Sequence, residues 1–248
     1  MMNKDTTPVN IAVGKPAGED DLIIVRRHRL VSERIPSAEG VLLDFGCGSG
    51  AQTHLFAGEF PSIIGLDVGQ PSLRELKAGA LVRGQQDIIL PLAYDGDHFP
   101  LCDSSIDCAV SFEVLEHVEH ETQTLSELAR VIKPGGFLAM SVPNRWWIFE
   151  THGANLPLLP WNRVPFFSWL PTPIHDRWAR ARIYSRREIR KKVESAGFDI
   201  VEALYITAPM DVVKWRWLKK TLRATIFRND TTHSPFLSTA VLVVARRQ

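Results

Sequence analysis

"VLLDFGCGSG", residues 41–50, passes from an apolar run holding one acid straight into three glycines at alternate positions. That order reads as a buried strand turning into a helix. Its glycines let backbone approach a ligand where a Cβ would collide, with a helix N-terminus close by. The glycines alone fit two nucleotide-like ligands, because Gly46, Gly48 and Ala51 also satisfy G-x-G-x-x-A, the dinucleotide fingerprint. Asp67, which ends the next apolar run, would hold a ribose diol in either case. Asp44, two residues before the first glycine, puts a carboxylate where a pyrophosphate is repelled and a cation is favoured. A positively charged nucleoside therefore fits better than a dinucleotide. A second role for Asp44, compatible with the first, is to cap the amides of the loop itself.

Outward from this stretch, apolar runs alternate with helix-like ones. "GVLLDFG", "SIIGLDV", "QQDIILPLA", "DCAVSFE" and "GGFLAMSVP" read as strands, and "AQTHLFAGEF", "PSLRELKAGA" and "ETQTLSELARVI" as helices. Near-continuous apolar strands separated by helices signal a parallel sheet covered on both faces, a doubly wound α/β domain. Upstream, "DLIIVRRHRLVSERI" (21–35) fits an amphipathic helix with a basic face. Downstream, Ser185 with Glu188 forms a capping box, Gly197 stands at a helix C-terminus, and "DIVEALYI" and "FLSTAVLVVARR" supply two more strands.

The 248 residues, 45% hydrophobic and 23% charged, suffice for one substantial core, so residues 21–248 are read as a single elaborated domain behind a flexible polar arm, 1–20. That arm lacks the charged-then-apolar order of a signal peptide, and the chain has no run of about 18 apolar residues, so a cytoplasmic protein is expected. Cys47, Cys102 and Cys108 form neither an even set nor a CxxC pair, which argues for reduced thiols over a disulfide framework or a zinc site. The net charge of +1 hides a division. Residues 1–144 carry 11 Lys and Arg against 20 Asp and Glu, net −9; residues 145–248 carry 18 against 8, net +10, and all seven tryptophans. Two tasks are implied, the second facing something anionic or amphipathic.

Four ordered motifs give the chain a family resemblance. "LLDFGCGSG", "IIGLDV", "YDGDHFPLCDSSIDCAVSFEVLEHV" and "ELARVIKPGGFLAMSVPN" resemble, in order and spacing, those of class I S-adenosylmethionine-dependent methyltransferases, in particular the type-11 group. The resemblance covers roughly residues 35–144 and recurs at 184–205. It implies a Rossmann-like sheet of seven strands, six parallel and the last antiparallel, with S-adenosyl-L-methionine as cofactor. It further implies that Gly46, Gly48 and Gly50 hold the methionine end, that Asp67 meets both ribose hydroxyls, and that Asp95 lies near the adenine amine. The family run D-A-E-x-L-P reads D-G-D-H-F-P here, so Asp97 is a rival to Asp95. Phe112 and Glu113 would lie beside the methionine moiety and the substrate entrance.

A sulfonium is a strong methyl donor, so catalysis rests on collinear approach, exclusion of water and, for a weak nucleophile, a base. His117 in "EVLEHVEH", His152 in "ETHG" and His175 beside Asp176 in "PIHDRW" are the candidates, since histidine titrates near neutral pH. In relatives that methylate quinone precursors, the acids and histidine of the first stretch are associated with a divalent metal. Glu113, Glu116 and His117 could hold such a metal here, but the favoured reading is that they fix the start of the next helix, so no metal site is assigned.

Residues 145–183, after the fifth strand, depart from the short family core and are long enough to be a lid, with aromatics for a lipid-like, prenylated or aromatic acceptor. The excursion 210–233 carries Lys214, Arg216, Lys219, Lys220, Arg223 and Arg228 interleaved with Trp215, Trp217, Leu218, Leu222 and Ile226. As a helix it suits the surface of an anionic membrane. Tryptophans set among prolines and leucines, with no appended RNA-binding module, favour lipid over nucleic acid. The expected activity is methyl transfer, by preference to oxygen, on a small hydrophobic acceptor. An RNA or glycan acceptor and a catalytically silent cofactor-binding protein are the rivals.

Overall fold

The structure, a computed structural model, describes residues 21–36, 40–149, 154–156, 159–161 and 165–248. The arm 1–20 lies outside them. In chain order the elements are α1 (Leu22–Ser32), β1 (Val41–Phe45), α2 (Thr53–Phe56), β2 (Ser62–Asp67), α3 (Gln70–Val82), β3 (Ile89–Ala93), β4 (Ile106–Phe112), α4 (Glu121–Val131) and β5 (Ile132–Pro143). After β5 come β6 (Ala154–Leu156), β7 (Leu159–Trp161), α5 (Thr172–Trp178), α6 (Arg186–Ser195), β8 (Phe198–Thr207), α7 (Arg216–Ala224), β9 (Thr231–Thr232) and β10 (Ser238–Arg247).

One sheet in the order β3-β2-β1-β4-β5-β10-β8-β9 organises the molecule. β10 runs antiparallel to both β5 and β8, so β8 points the same way as the five strands before it. The sheet therefore has eight strands where seven are expected. The addition is β9, two residues antiparallel to the edge of β8 at Tyr205 and Ile206, too short to leave an apolar signature. Leu43 and Phe45 of β1 enter a core beneath α4 and α6, while Leu42 enters a second core beneath α1 and α3. Val241, Val243 and Ala245 of β10 likewise oppose Leu242 and Val244 across the sheet. Both faces are buried, which is why these strands read as unbroken apolar runs.

Three local readings change. The helix expected over 51–60 contracts to Thr53–Phe56, because the Gly50 amide turns back to the Cys47 carbonyl at 3.0 Å and beyond Phe56 only single turns close. The strand expected from Gln85 begins at Ile89, since the Ile88 and Ile89 amides fold onto the Gln85 carbonyl. The basic face of α1 points inward at two positions: Arg26 and Arg27 are 2% and 7% exposed. Arg26 donates to Asp230 at 3.2 Å and to the Thr207 carbonyl at 2.8 Å, so the doublet meets acceptors far along the chain. The capping box forms as expected, Glu188 N donating to Ser185 Oγ and Ser185 N to Glu188 Oε2, and Gly197 takes φ +90°.

The segment after β5 leaves and returns at the tip of that strand. Tyr184 N donates to the Pro143 carbonyl and Arg145 N to the Tyr184 carbonyl, each at 3.0 Å. No helix among the described residues is long and apolar enough to cross a membrane.

Candidate active site

The site lies at the carboxyl ends of β1, β2 and β4, where the strand order reverses about β1, the place at which open α/β sheets hold ligands. Gly46, Gly48 and Gly50 all take left-handed backbone, at φ +75°, +53° and +94°. Their surroundings differ. A Cβ on Gly46 would stand 2.2 Å from Val114 Cγ2, and one on Gly50 2.4 Å from Leu76 Cδ1. One on Gly48 would meet nothing within 4 Å. Two glycines thus serve packing, and the third leaves a cradle that a side chain would fill.

β2 holds the loop from below. The Gly46 and Cys47 amides both donate to the Leu66 carbonyl, at 2.7 and 3.3 Å. Asp67 Oδ2 accepts from Gly48 N at 2.9 Å and Oδ1 from Gly69 N at 2.7 Å. Each carboxylate oxygen offers more than one acceptor site, so Asp67 retains capacity for a diol while it fixes the loop. Amide capping, one of the two roles open to Asp44, is thus carried here by Asp67. Asp44 itself is 2% exposed and accepts from Thr53 Oγ1 at 2.6 Å. Burial pushes its pKa up to about 7, against the pull of the Thr53 hydroxyl and with a further push from Asp67. Two acids crowded under a glycine cradle suit a ligand that brings a positive charge, and the residues present fit the sulfonium nucleoside that the resemblance implies.

Asp95 stands in the exposed loop after β3, where Oδ1 accepts from the amides of Asp97 at 2.9 Å and His98 at 3.0 Å. Those amides, His98 first, hold its carboxyl below the usual range. Asp97 is exposed in the same turn. Tyr94, just before it, packs edge-on to Phe45 and Phe99, and burial raises its phenol to about 12.

At the tip of β4, Phe112 stacks on Phe56 and lies 6.0 Å beneath the Arg27 guanidinium. Glu113 turns into left-handed backbone at φ +58°. Its amide donates to the Ser141 carbonyl at 3.0 Å, and its Oε1 meets Arg27 Nη2 at 2.6 Å and accepts from Ser141 Oγ at 3.3 Å. Strain of this kind persists only where neighbours fix it. Three contacts, from Arg27 and Ser141, do so here. Glu116, one short turn on, is fully buried, and burial, reinforced by the Glu113 charge, raises its pKa well above the carboxylate range. His117 Nε2 lies 4.0 Å from Glu116 Oε1. No group of three or more His, Cys, Asp or Glu among the described residues is placed to hold a metal ion.

The other two histidines fall elsewhere. His175 of α5 is fully buried against the Phe167 ring, 5.1 Å between centroids, in a small cluster with Ala179. His152 lies outside the described residues. Arg182 donates to the Val118 and Glu119 carbonyls, and the Tyr184 hydroxyl to Glu121 Oε1 at 2.6 Å, so the end of the 145–183 segment lies along the Glu116–Glu121 turn.

Above the tip of β5, Trp146, Phe166 and Trp169 of that segment form an exposed row with Phe236. Trp146 meets Phe236 at 6.1 Å, Phe236 meets Trp169 at 5.7 Å and Trp169 meets Phe166 at 5.1 Å, all tilted edge to face. The Trp169 indole N–H donates to the Trp146 carbonyl at 3.2 Å. Ser141 is in register with Phe112, so the row starts a few residues beyond the Glu113 turn on the same rim of the sheet.

Arg27, Thr53 and Ser141 were not legible as site residues. The adjacent arginines at 26 and 27 were the one available signal, and an amphipathic pattern assigns such a pair to solvent.

Comparison with known proteins agrees with this geometry. Residues 21–203 match the family model described as a methyltransferase domain. A probable S-adenosylmethionine-dependent methyltransferase of Mycolicibacterium smegmatis is 31% identical over 72% of the chain, and the chain spans 60% of that relative's length. A ubiquinone biosynthesis O-methyltransferase of Saccharophagus degradans is 29% identical over 73% of this chain and 72% of its own. In fold, the chain is similar to the crystal structure of an S-adenosylmethionine-dependent methyltransferase from Mesorhizobium loti, with a TM-score of 0.62 at 20% identity over 93% of this chain and all of that one.

Proposed function

Because the chain belongs to the methyltransferase-domain family, whose cofactor is S-adenosylmethionine, we propose that it transfers a methyl group to a hydroxyl of a small, apolar acceptor. The cofactor, when bound, supplies an electrophilic methyl on a sulfonium, which a nucleophile must approach in line. The chain's residues do the rest. Gly48 leaves room for the methionine end, and Asp67 keeps the loop closed while offering its remaining lone pairs to the ribose. Asp44 faces the positive charge from beneath, and either Asp95 or its rival Asp97 meets the adenine amine from the loop after β3.

The observation that carries the acceptor class is the aromatic row Trp146, Phe236, Trp169 and Phe166, set on the rim beside the Glu113 turn. Half-exposed rings in edge-to-face contact offer an apolar, aromatic-friendly wall. The similarity to proteins named for O-methylation in ubiquinone biosynthesis supports oxygen as the atom methylated. Such a hydroxyl needs a base, and His117 is the candidate histidine that stands in the turn with Glu113 and Glu116. Burial raises the Glu116 carboxyl well above the usual carboxylate range, and the neighbouring imidazole is the group read as taking the proton of the acceptor.

Calorimetry with S-adenosylmethionine, followed by transfer of labelled methyl to a panel of alkylated phenols and alkyl amines, tests this reading. Phenols are expected to be methylated, and His117→Ala to lower kcat roughly 100-fold with cofactor affinity unchanged. Absence of cofactor binding at millimolar ligand, or transfer to amines alone, overturns it.

A further inference from the structure

The excursion between β8 and β10 contains six cations and two acids over residues 210–233. Both acids are engaged. Asp211 Oδ1 meets Arg223 Nη2 at 2.8 Å and Lys219 Nζ at 3.6 Å. Asp230 turns to α1, meeting Arg29 at 2.6 Å and Arg26 at 3.2 Å. Four cations remain, Lys214, Arg216, Lys220 and Arg228, all exposed, and none meets an acid of the described residues at ion-pair distance. Among them stand Trp215, 66% exposed, Trp217, 69%, and Ile226, 61%.

α7 has no buried residue. It is held from below, where Leu222 packs against the cluster of Trp147, Ala208 and Phe227, and its outer flank carries Arg216, Trp217 and Lys220. Two indoles and an aliphatic side chain kept in water beside uncompensated cations describe one kind of partner. Indoles settle at the headgroup level of a bilayer, aliphatic groups gain on reaching the acyl boundary, and cations meet anionic headgroups. A nucleic acid would use the cations and the indoles, but Ile226 offers no face on which a base can stack.

We infer that α7 docks this protein on an anionic lipid surface, Trp215, Trp217 and Ile226 entering the headgroup boundary while Lys214, Arg216, Lys220 and Arg228 meet the lipid charges. The cluster beneath α7 also contains Phe149 and Leu237, neighbours in sequence of the aromatic row on the rim. Docking there brings the rim to the membrane, so that an apolar acceptor passes from bilayer to site without crossing water. That last step rests on the methyl-transfer reading, whereas docking does not.

The test uses the full chain with vesicles of phosphatidylcholine, with and without phosphatidylglycerol, and with acyl chains brominated near the headgroup. The chain is expected to sediment with the mixed vesicles, at least tenfold more weakly with phosphatidylcholine alone, and to lose tryptophan fluorescence to the brominated lipid. The pair Arg216→Gln and Lys220→Gln should weaken partition roughly thirty-fold, at about 1 kcal/mol per cation. Trp215→Ser with Trp217→Ser should remove the quenching and most of the binding, while the thermal melt and cofactor calorimetry stay as in the parent chain. Equal binding to both vesicle types, or binding that survives both pairs of changes, overturns the inference. So does a single-stranded oligonucleotide that displaces the protein from the vesicles, with binding that needs the two tryptophans. A chain that ignores S-adenosylmethionine yet floats with anionic vesicles would break the methyl-transfer reading and leave the docking surface standing.

Discussion

Asp44 and Glu116, in the acidic half of the chain, are buried beneath a loop and a turn, whereas Lys214, Arg216 and Lys220, in the basic half, stand in water. The cofactor side is built from backbone held in one shape: three left-handed glycines, a strained Glu113, and carboxylates that bond to amides or a hydroxyl. The side proposed to meet the acceptor is built from rings and cations on the surface. On the proposed reading, a ligand common to a whole family is met by a preorganised cradle, while the part that would distinguish acceptors is left adaptable.

The largest effect should come from the two glycines that look alike and are not. Gly46→Ala drives a Cβ into Val114 and strains left-handed backbone, together about 4 kcal/mol, or a Tm lower by about 10 °C. Gly48→Ala carries only the backbone strain, about 1 kcal/mol, yet fills the cradle, so calorimetry should show cofactor affinity lost from a chain that still melts near its normal temperature. Normal affinity in Gly48→Ala would break the contrast between packing and binding glycines.

Next is the charge that α1 lends to the site. Arg27→Met leaves Glu113 without its 2.6 Å partner in a nearly buried position, which should cost about 3 kcal/mol in a urea titration. Adding Glu113→Gln should restore part of that, since the stranded carboxylate then carries no charge. Further loss in the double variant would place the importance of Arg27 in its contact with Phe112.

Asp44 predicts a slope. Its folded pKa lies near 7, above its unfolded value, so the folded state holds the extra proton between about pH 4 and 7, and stability falls as pH rises through that window. Asp44→Asn keeps an acceptor for Thr53 and should flatten the curve, its advantage over the parent growing up to pH 7 and constant above. The smallest effect belongs to the exposed half. Asp211→Asn frees Lys219 and Arg223, costs less than about 1 kcal/mol, and should strengthen vesicle binding.

Much of this was legible in local patterns. The central strands of the sheet announce themselves because both faces are buried, and the glycine loop because left-handed backbone demands glycine. What stayed hidden depends on distance along the chain. Arg26 finds Asp230 across 204 positions, so a doublet that reads as a solvent face turns inward. β9 escaped because two threonines on an edge carry no alternation. The three candidate histidines were equivalent in sequence, and only the fold separates His117, in the turn after β4, from His175, sealed behind Phe167.

The position of β10 bears on how the chain is made. It is the last strand of the sheet in sequence, yet it lies between β5 and β8, and its backbone joins the two sides. Until it emerges from the ribosome, β5 presents an open apolar edge and β8 has no neighbour linking it to the first five strands. At synthesis rates of about 5–20 residues per second that interval lasts on the order of 5–20 s. During it the nascent chain offers the kind of unpaired edge that chaperones shield, so codon speed across residues 144–237 should influence yield more than codon speed anywhere upstream.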